Sequence, residues 1–319
     1  MSGDVVEVGI DENGLGPRLG PLIVTAVAAR VHASATSRRA ALLRPRGRLR
    51  ERIGDSKDLI SFGDSALGEA WARVLSGIDE GPDAVVAALA VDARTKLREP
   101  CPDDHAAQCW NTEGEGWEAP AELSATLRAD RARLERRGLE ILGAHVAIVC
   151  TRRLNESAAR GVSRFEVDLH AMERLMLHVR DLHGTEIDAT CGKVGGYHSY
   201  PAVFGPLSGR LVAVVEEGRA RSEYSLPGLG RVAFVRDADA SHLLVSLASL
   251  VGKWVRDLLT RRVTRYHRAH EPSLPEASGY HDPITARFVA ASALSRRARG
   301  VPDDCFERRA REGKGAPRA

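Results

Sequence analysis

The chain has 319 residues, 43% of them hydrophobic and 28% charged, enough for a sizeable core and far too long for a disulfide-stapled miniprotein. A mean hydropathy of -0.23 leaves no apolar excess for lipid, and no run reaches the roughly eighteen apolar residues of a membrane span. The net charge is only +3, but residues 259–319 are basic while the rest is slightly acidic, so the C-terminal segment is where a polyanion would dock.

Near the N-terminus, acids in MSGDVVEVGIDENG occupy the place of the apolar stretch of a secretory leader, which leads to the expectation of a cytoplasmic protein. Cys101, Cys109, Cys150, Cys191 and Cys305 form an odd set without a CxxC pair, as suits a reducing compartment rather than a disulfide framework.

VVEVGID reads as a strand, ENGLGPRLGP as a Gly/Pro turn, and LIVTAVAARV as a second strand. The arginine-rich stretch 38–52 suits either a solvated loop or a contact to a polyanion. Ser61 or Asp64 can cap a helix that carries Leu67, Trp71, Val74 and Leu75 on one face. Residues 98–122, rich in Pro, Gly and acids, lack a sustained period and are expected to be an insertion or long loop. A charged helix is expected over 121–138 and a buried strand over 144–150. SRFEVDLHAMERLMLHVRDL at 163–182 should be an amphipathic helix capped by Ser163, with Glu166 completing a capping box. EIDAT is expected as a short strand ending in Asp188. LVAVVEEG and RVAFVRDAD are further strands, and a long helix starts at Leu243.

Alternating strands and helices predict an α/β fold. Acids stand at three expected strand ends: Asp11 with Glu12, Asp188, and Asp237 with Asp239. Neighbouring strands of an α/β sheet can bring such ends to one edge. A cluster of carboxylates invites hard divalent ions, which two-ion nucleases use at phosphorus. No Walker loop, GxGxxG or GxSxG competes with this chemistry. Cys101, His105 and Cys109 have helical spacing, but without a nearby fourth ligand and beside Pro100 and Pro102 they are not read as a zinc site.

The segments GIDENGLGPRLGP, DSKDL at 55–59, Asp239 through SLASLVGKWVRD, and ASGYHDPIT at 277–285 occur in the order found in the ribonuclease HII (type 2 ribonuclease H) family, and the chain resembles that family over most of its length. The resemblance implies a ribonuclease H-like mixed sheet flanked by helices, with residues 1–258 as the catalytic domain and 259–319 as a basic substrate-binding segment. It implies metal and catalytic roles for Asp11, Glu12, Asp188 and Asp239. Asp168 and Asp181 rival Asp188, although both sit in the amphipathic helix. It further implies substrate contacts by Gly14, Leu15, Gly16, Lys57, Lys253, Arg256 and Tyr280, with Asp257 orienting the neighbouring arginine. In the family the glycine loop has an arginine between its glycines and reads a 2′-hydroxyl, largely through backbone groups. Here Leu15 stands between them.

The implied activity is metal-dependent endonucleolytic hydrolysis of RNA in RNA/DNA hybrids, or cleavage 5′ of ribonucleotides embedded in duplex DNA. Two Mg2+ or Mn2+ ions are the implied cofactors, and a monomer without membrane attachment is expected. Two alternatives remain open: a catalytically inactive nucleic-acid-binding module, and a hybrid nuclease without recognition of single ribonucleotides.

Overall fold

The computed structural model describes residues 6–32, 40–43, 45, 47–101 and 107–309. Its centre is a mixed seven-stranded sheet. β1 (Val6–Asn13) pairs with β2 (Leu22–Val31) antiparallel, and β2 pairs likewise with β3 (Leu139–Val149). On its other side β1 runs parallel to β4 (Ile187–Gly192), as expected of a strand reached through a helical crossover. The sheet is completed by β5 (Ala213–Glu217), β6 (Arg221–Leu226) and β7 (Gly230–Val235), giving the order β3-β2-β1-β4-β7-β6-β5. β7 is parallel to β4, so β1, β4 and β7 all end on the same edge.

Both faces of the sheet are covered, which explains why β1 and β2 read as continuous rather than alternating apolar runs. On one face lie α1 (Ala66–Ser76), α2 (Ala121–Glu135) and the long α5 (Leu243–His270), whose Trp71, Leu127 and Trp254 enter one core with Val27 and Ile141. The other face packs against α3 (Thr151–Ala159) and α4 (Arg164–His183). There Met172 and Met176 meet Val8, Ala189 and a cluster of Tyr200, Tyr224 and Phe234. A third, smaller core joins Leu19 and Val263 to Phe288 and Phe306 of the C-terminal segment.

Glycines set the central approach of α5 to the sheet. A Cβ at Gly9 of β1 would lie 2.3 Å from the Leu244 carbonyl carbon, and one at Gly68 of α1 would lie 2.5 Å from the Leu250 carbonyl oxygen. Neither backbone can yield, so these contacts require the missing side chain.

Several expectations are corrected. The N-cap position of α1 is Ser65, not Ser61 or Asp64, which bridge each other in a tight turn. β4 continues four residues past Asp188 to Gly192. β6 was not anticipated, because RSEYSL alternates only weakly in polarity. The boundary at 258/259 falls inside the single helix α5. The 98–122 insertion is not a free loop. Glu115 makes a buried ion pair with Arg262, at 2.6 and 2.8 Å, and Glu69 accepts the backbone N–H groups of Glu118 and Ala119. In the arginine-rich stretch Arg52 is held by Asp130 at 2.6 Å, whereas Arg48 and Arg50 are exposed. His105 lies outside the described residues, as do Arg38 and Arg39.

A carboxylate cleft at the ends of three parallel strands

The shared edge of β1, β4 and β7 opens into a cleft of about 360 Å³. Asp11, Glu12, the Gly14-Leu15-Gly16 loop, Lys57, Asp239, Lys253, Arg256 and Tyr280 line it, so residues from the four separated motifs meet in one place. Gly192, Lys193, Arg236 and Ser249 line it too. Their positions follow from the strand ends and from the adjacent turn of α5, but no sequence signal singled them out.

Asp11 and Glu12 point to opposite sides of β1, which stays paired through Asn13. Asp11 faces α5, where the Ser249 hydroxyl hydrogen-bonds to it. Ser249 in turn meets Ser56 at 2.8 Å, tying the DSKDL turn to the same carboxylate. Burial pushes the Asp11 carboxyl well above its ordinary range, and the charges of Asp239 and Glu12 push it further. Glu12 turns the other way and accepts the Leu15 N–H at 3.1 Å, so the first acid pair also shapes the glycine loop. Its pKa is raised, chiefly by burial.

Asp239 caps its own turn by accepting the Ala240 N–H at 3.1 Å. Lys57 stands 3.8 Å from it on a largely exposed side chain, which raises the lysine pKa. Asp237 lies in the left-handed region with φ 54° and is 81% exposed. The distinction drawn between these two acids from spacing thus has a physical counterpart: Asp239 is the one turned inward.

Asp188 is not brought to the cleft. It pairs in register with Glu7 and Arg231 near the opposite edge of the sheet, and Arg231 holds it through two bonds of 3.0 and 2.6 Å. The strand position facing the cleft is Gly192, where a Cβ would lie 3.3 Å from Asp11 Oδ1. Asp168 is the acid that sequence reasoning set aside. On α4 it is fully buried, and neither carboxylate oxygen has a hydrogen-bond partner. Its pKa is raised well above the ordinary value by burial, then by the charges of Glu12 and Asp11. The signal available in the sequence was its place in the first turns of a helix whose other inward positions are apolar. Asp181, the second rival, is exposed and pairs with Arg180.

Of the cationic contacts expected for phosphate, Lys57 alone is free to reach outward. Lys253 donates to the Ser56 carbonyl at 2.9 Å and to that of Ile60. Arg256 is 1% exposed, bonded to Asp257 at 2.6 Å and to the Ser278 carbonyl at 3.1 Å. Its guanidinium lies under the half-exposed ring of Tyr280. Arg256 is therefore a buried support rather than a phosphate contact, and Asp257 orients it as expected. Gly14, with φ 101°, sits where a Cβ would meet the Pro21 carbonyl at 2.9 Å. Arg308, from the far end of the chain, donates to the Gly14 and Gly20 carbonyls and pins the loop from below.

The donor set fits a hard divalent cation. All its members offer oxygen, their negative charges crowd one another, and Asp168 adds two buried oxygens without partners. Among the described residues, no three His, Cys, Asp or Glu side chains are already grouped to hold one metal ion. No helix among those residues is long and apolar enough to cross a membrane.

No protein-family model matches the chain. No curated protein matches it either. Among solved structures it is similar to ribonuclease HII from Archaeoglobus fulgidus in a complex with PCNA, at 16% identity, with 98% of each chain covered and a TM-score of 0.44. It is similar also to ribonuclease H2 from Pyrococcus horikoshii OT3, at 16% identity over 95% of this chain and 92% of that one, with a TM-score of 0.44. A third similar structure is Bst-RNase HIII in complex with Mn2+, at 12% identity over 96% of this chain and 66% of that one, with a TM-score of 0.41.

Proposed function

We propose that this chain is a metal-dependent endoribonuclease of the type 2 ribonuclease H kind, acting on RNA/DNA hybrids or on ribonucleotides embedded in duplex DNA. The observation that carries this reading is the gathering of Asp11, Glu12 and Asp239, from opposite ends of the sequence, around one cleft with the glycine loop and Tyr280. A nucleic-acid-binding module gains nothing from carboxylates that face phosphates.

Asp11, Glu12 and Asp239 would hold the divalent ions, Mg2+ or Mn2+. When bound there, such ions supply charge neutralisation at phosphorus and a water acidic enough to attack at neutral pH. Ser249 orients the Asp11 carboxylate. Lys57, exposed at the rim, meets a backbone phosphate and positions the duplex without reading its sequence. The glycine loop presents backbone groups toward a 2′-hydroxyl. Its shape is kept by Glu12 on the Leu15 N–H and by Arg308 on the Gly14 carbonyl, neither of which involves the side chain at position 15. Gly16 has open space around it. Tyr280 stacks on the sugar beside the scissile bond, and the products are 5′-phosphate and 3′-hydroxyl ends.

The test is a gel assay with Mg2+ or Mn2+ on a continuous hybrid, a DNA duplex with one ribonucleotide, and an all-DNA duplex. Asp11→Asn should abolish cleavage and leave duplex binding intact. Cleavage of the hybrid alone would remove single-ribonucleotide recognition from the proposal. Undiminished cleavage by Asp11→Asn would remove the metal site.

A further inference from the structure

Four of the five cysteines meet at a place remote from the carboxylate cleft. Cys109, Cys150 and Cys305 line an apolar cavity of about 50 Å³ whose walls include Leu97, Ile148, Leu259 and Val263. Cys101 stands beside it. Its sulfur accepts the Trp110 indole N–H at 3.5 Å, and Trp110 is itself part of the cavity wall. The thiols are near enough for each thiolate to repel others: Cys109 feels Cys150, Cys101 and Cys305, and Cys150 feels Cys101. These residues come from the 98–122 insertion, the start of α3 and the C-terminal segment, so folding rather than sequence proximity brings them together. All four are free thiols.

From this convergence we propose that Cys101, Cys109, Cys150 and Cys305 ligate an iron–sulfur cluster. Thiolates select soft metal centres, and a cysteine set in a chain without disulfides is better explained by metal than by crosslinking. The spacing chooses between metals. A single zinc ion, with Zn–S bonds of about 2.3 Å, draws its sulfurs to within roughly 4 Å of one another and leaves no space between them. Here a cavity separates the sulfurs, and no three of them are grouped to hold one ion. A polynuclear cluster lets each thiolate bind its own corner around a central volume.

The surroundings suit an anionic centre. Cys150 is the N-cap residue of the nine-residue α3, where the backbone N–H groups of Arg153 and Arg152 favour its thiolate against burial. The Arg152 guanidinium reaches Cys305 Sγ at 4.0 Å, and Arg153 lines the cavity. The centre would also fasten the C-terminal segment, since Gln108 donates to the Cys305 carbonyl at 3.2 Å and Asn155 to the carbonyls of Asp304 and Glu307 at 2.9 and 2.8 Å.

The test is metal and sulfide analysis of the full chain purified without oxygen. Iron and acid-labile sulfide in equal amounts, with a broad visible absorption band, are expected. Cys150→Ser and Cys305→Ser should lose both, and Cys191→Ser, outside the cavity, should keep both. A wild-type chain that is metal-free, or that carries zinc without sulfide, overturns the proposal whether or not the variants fold. So does a disulfide between any two of the four in that preparation, or a cluster that survives loss of Cys150.

Discussion

The Arg256 guanidinium lies 4.3 Å from the centre of the Tyr280 ring, with its other contacts fixed by Asp257 and by the Ser278 carbonyl. A buried cation thus forms the floor on which the exposed tyrosine rests.

Arg256→Lys keeps the charge but loses the flat surface and the fork that reaches two partners at once. We expect the lysine variant to fold and bind duplex while its KM for a junction substrate rises. Arg256→Ala should be worse, because it strands the Asp257 carboxylate, a loss of about 3–5 kcal/mol by comparison with other broken buried pairs. Thermal melting and steady-state kinetics on both variants separate the two effects.

Asp168 gives a pH prediction whose sign can be worked out. Its folded pKa is raised above the ordinary 3.8, so below that value both folded and unfolded chains hold the proton and nothing is lost. As pH climbs past 3.8 the unfolded chain releases its proton while the folded chain resists, and stability falls. Without divalent ions, Asp168→Asn should therefore melt higher than wild type at neutral pH. Mn2+ should raise the melting temperature of wild type more than that of the variant, because a ligand that binds only the folded chain stabilises it. Equal shifts in the two would place Asp168 outside the ion site.

Gly9→Ala tests how closely α5 lies on the sheet. The added methyl meets the backbone of Leu244, which cannot rotate away. We expect a loss of at least about 1–3 kcal/mol, the range for an overpacked core, in denaturant titration. Gly16→Ala, with open space around it, should cost far less.

Arg262, with no exposed side-chain surface, joins α5 to Glu115 of the insertion and to Asp83 at 3.0 Å. Arg262→Ala should destabilise the chain by about 3–5 kcal/mol through the stranded carboxylates. Replacing Arg262 and Glu115 together with apolar residues should restore part of the loss.

The motifs at the ends of β1 and at the start of α5 were legible because their chemistry is local: adjacent acids at a strand terminus, glycines in a tight turn, a serine spaced from an acid along a helix. Asp188 was misplaced because a strand can continue beyond a polar residue when a partner such as Arg231 waits across the ladder. Asp168 was passed over because a helical pattern reports which face is buried but cannot tell a buried carboxylate from a solvated one. The helix capped by Ser163 was placed within a residue, since its capping box carries its own geometry. The gathering of the cysteines had no sequence signal at all, being a product of long-range packing.

Arg308 reaches back to the carbonyls of Gly14 and Gly20, near the beginning of the chain. The consequence concerns timing. β1 leaves the ribosome first, yet the loop that follows it lacks its underlying clamp until residue 308 has emerged. During synthesis, then, the acids of β1 are present while the cleft around them is unfinished, and the complete site is a property of the finished polypeptide alone.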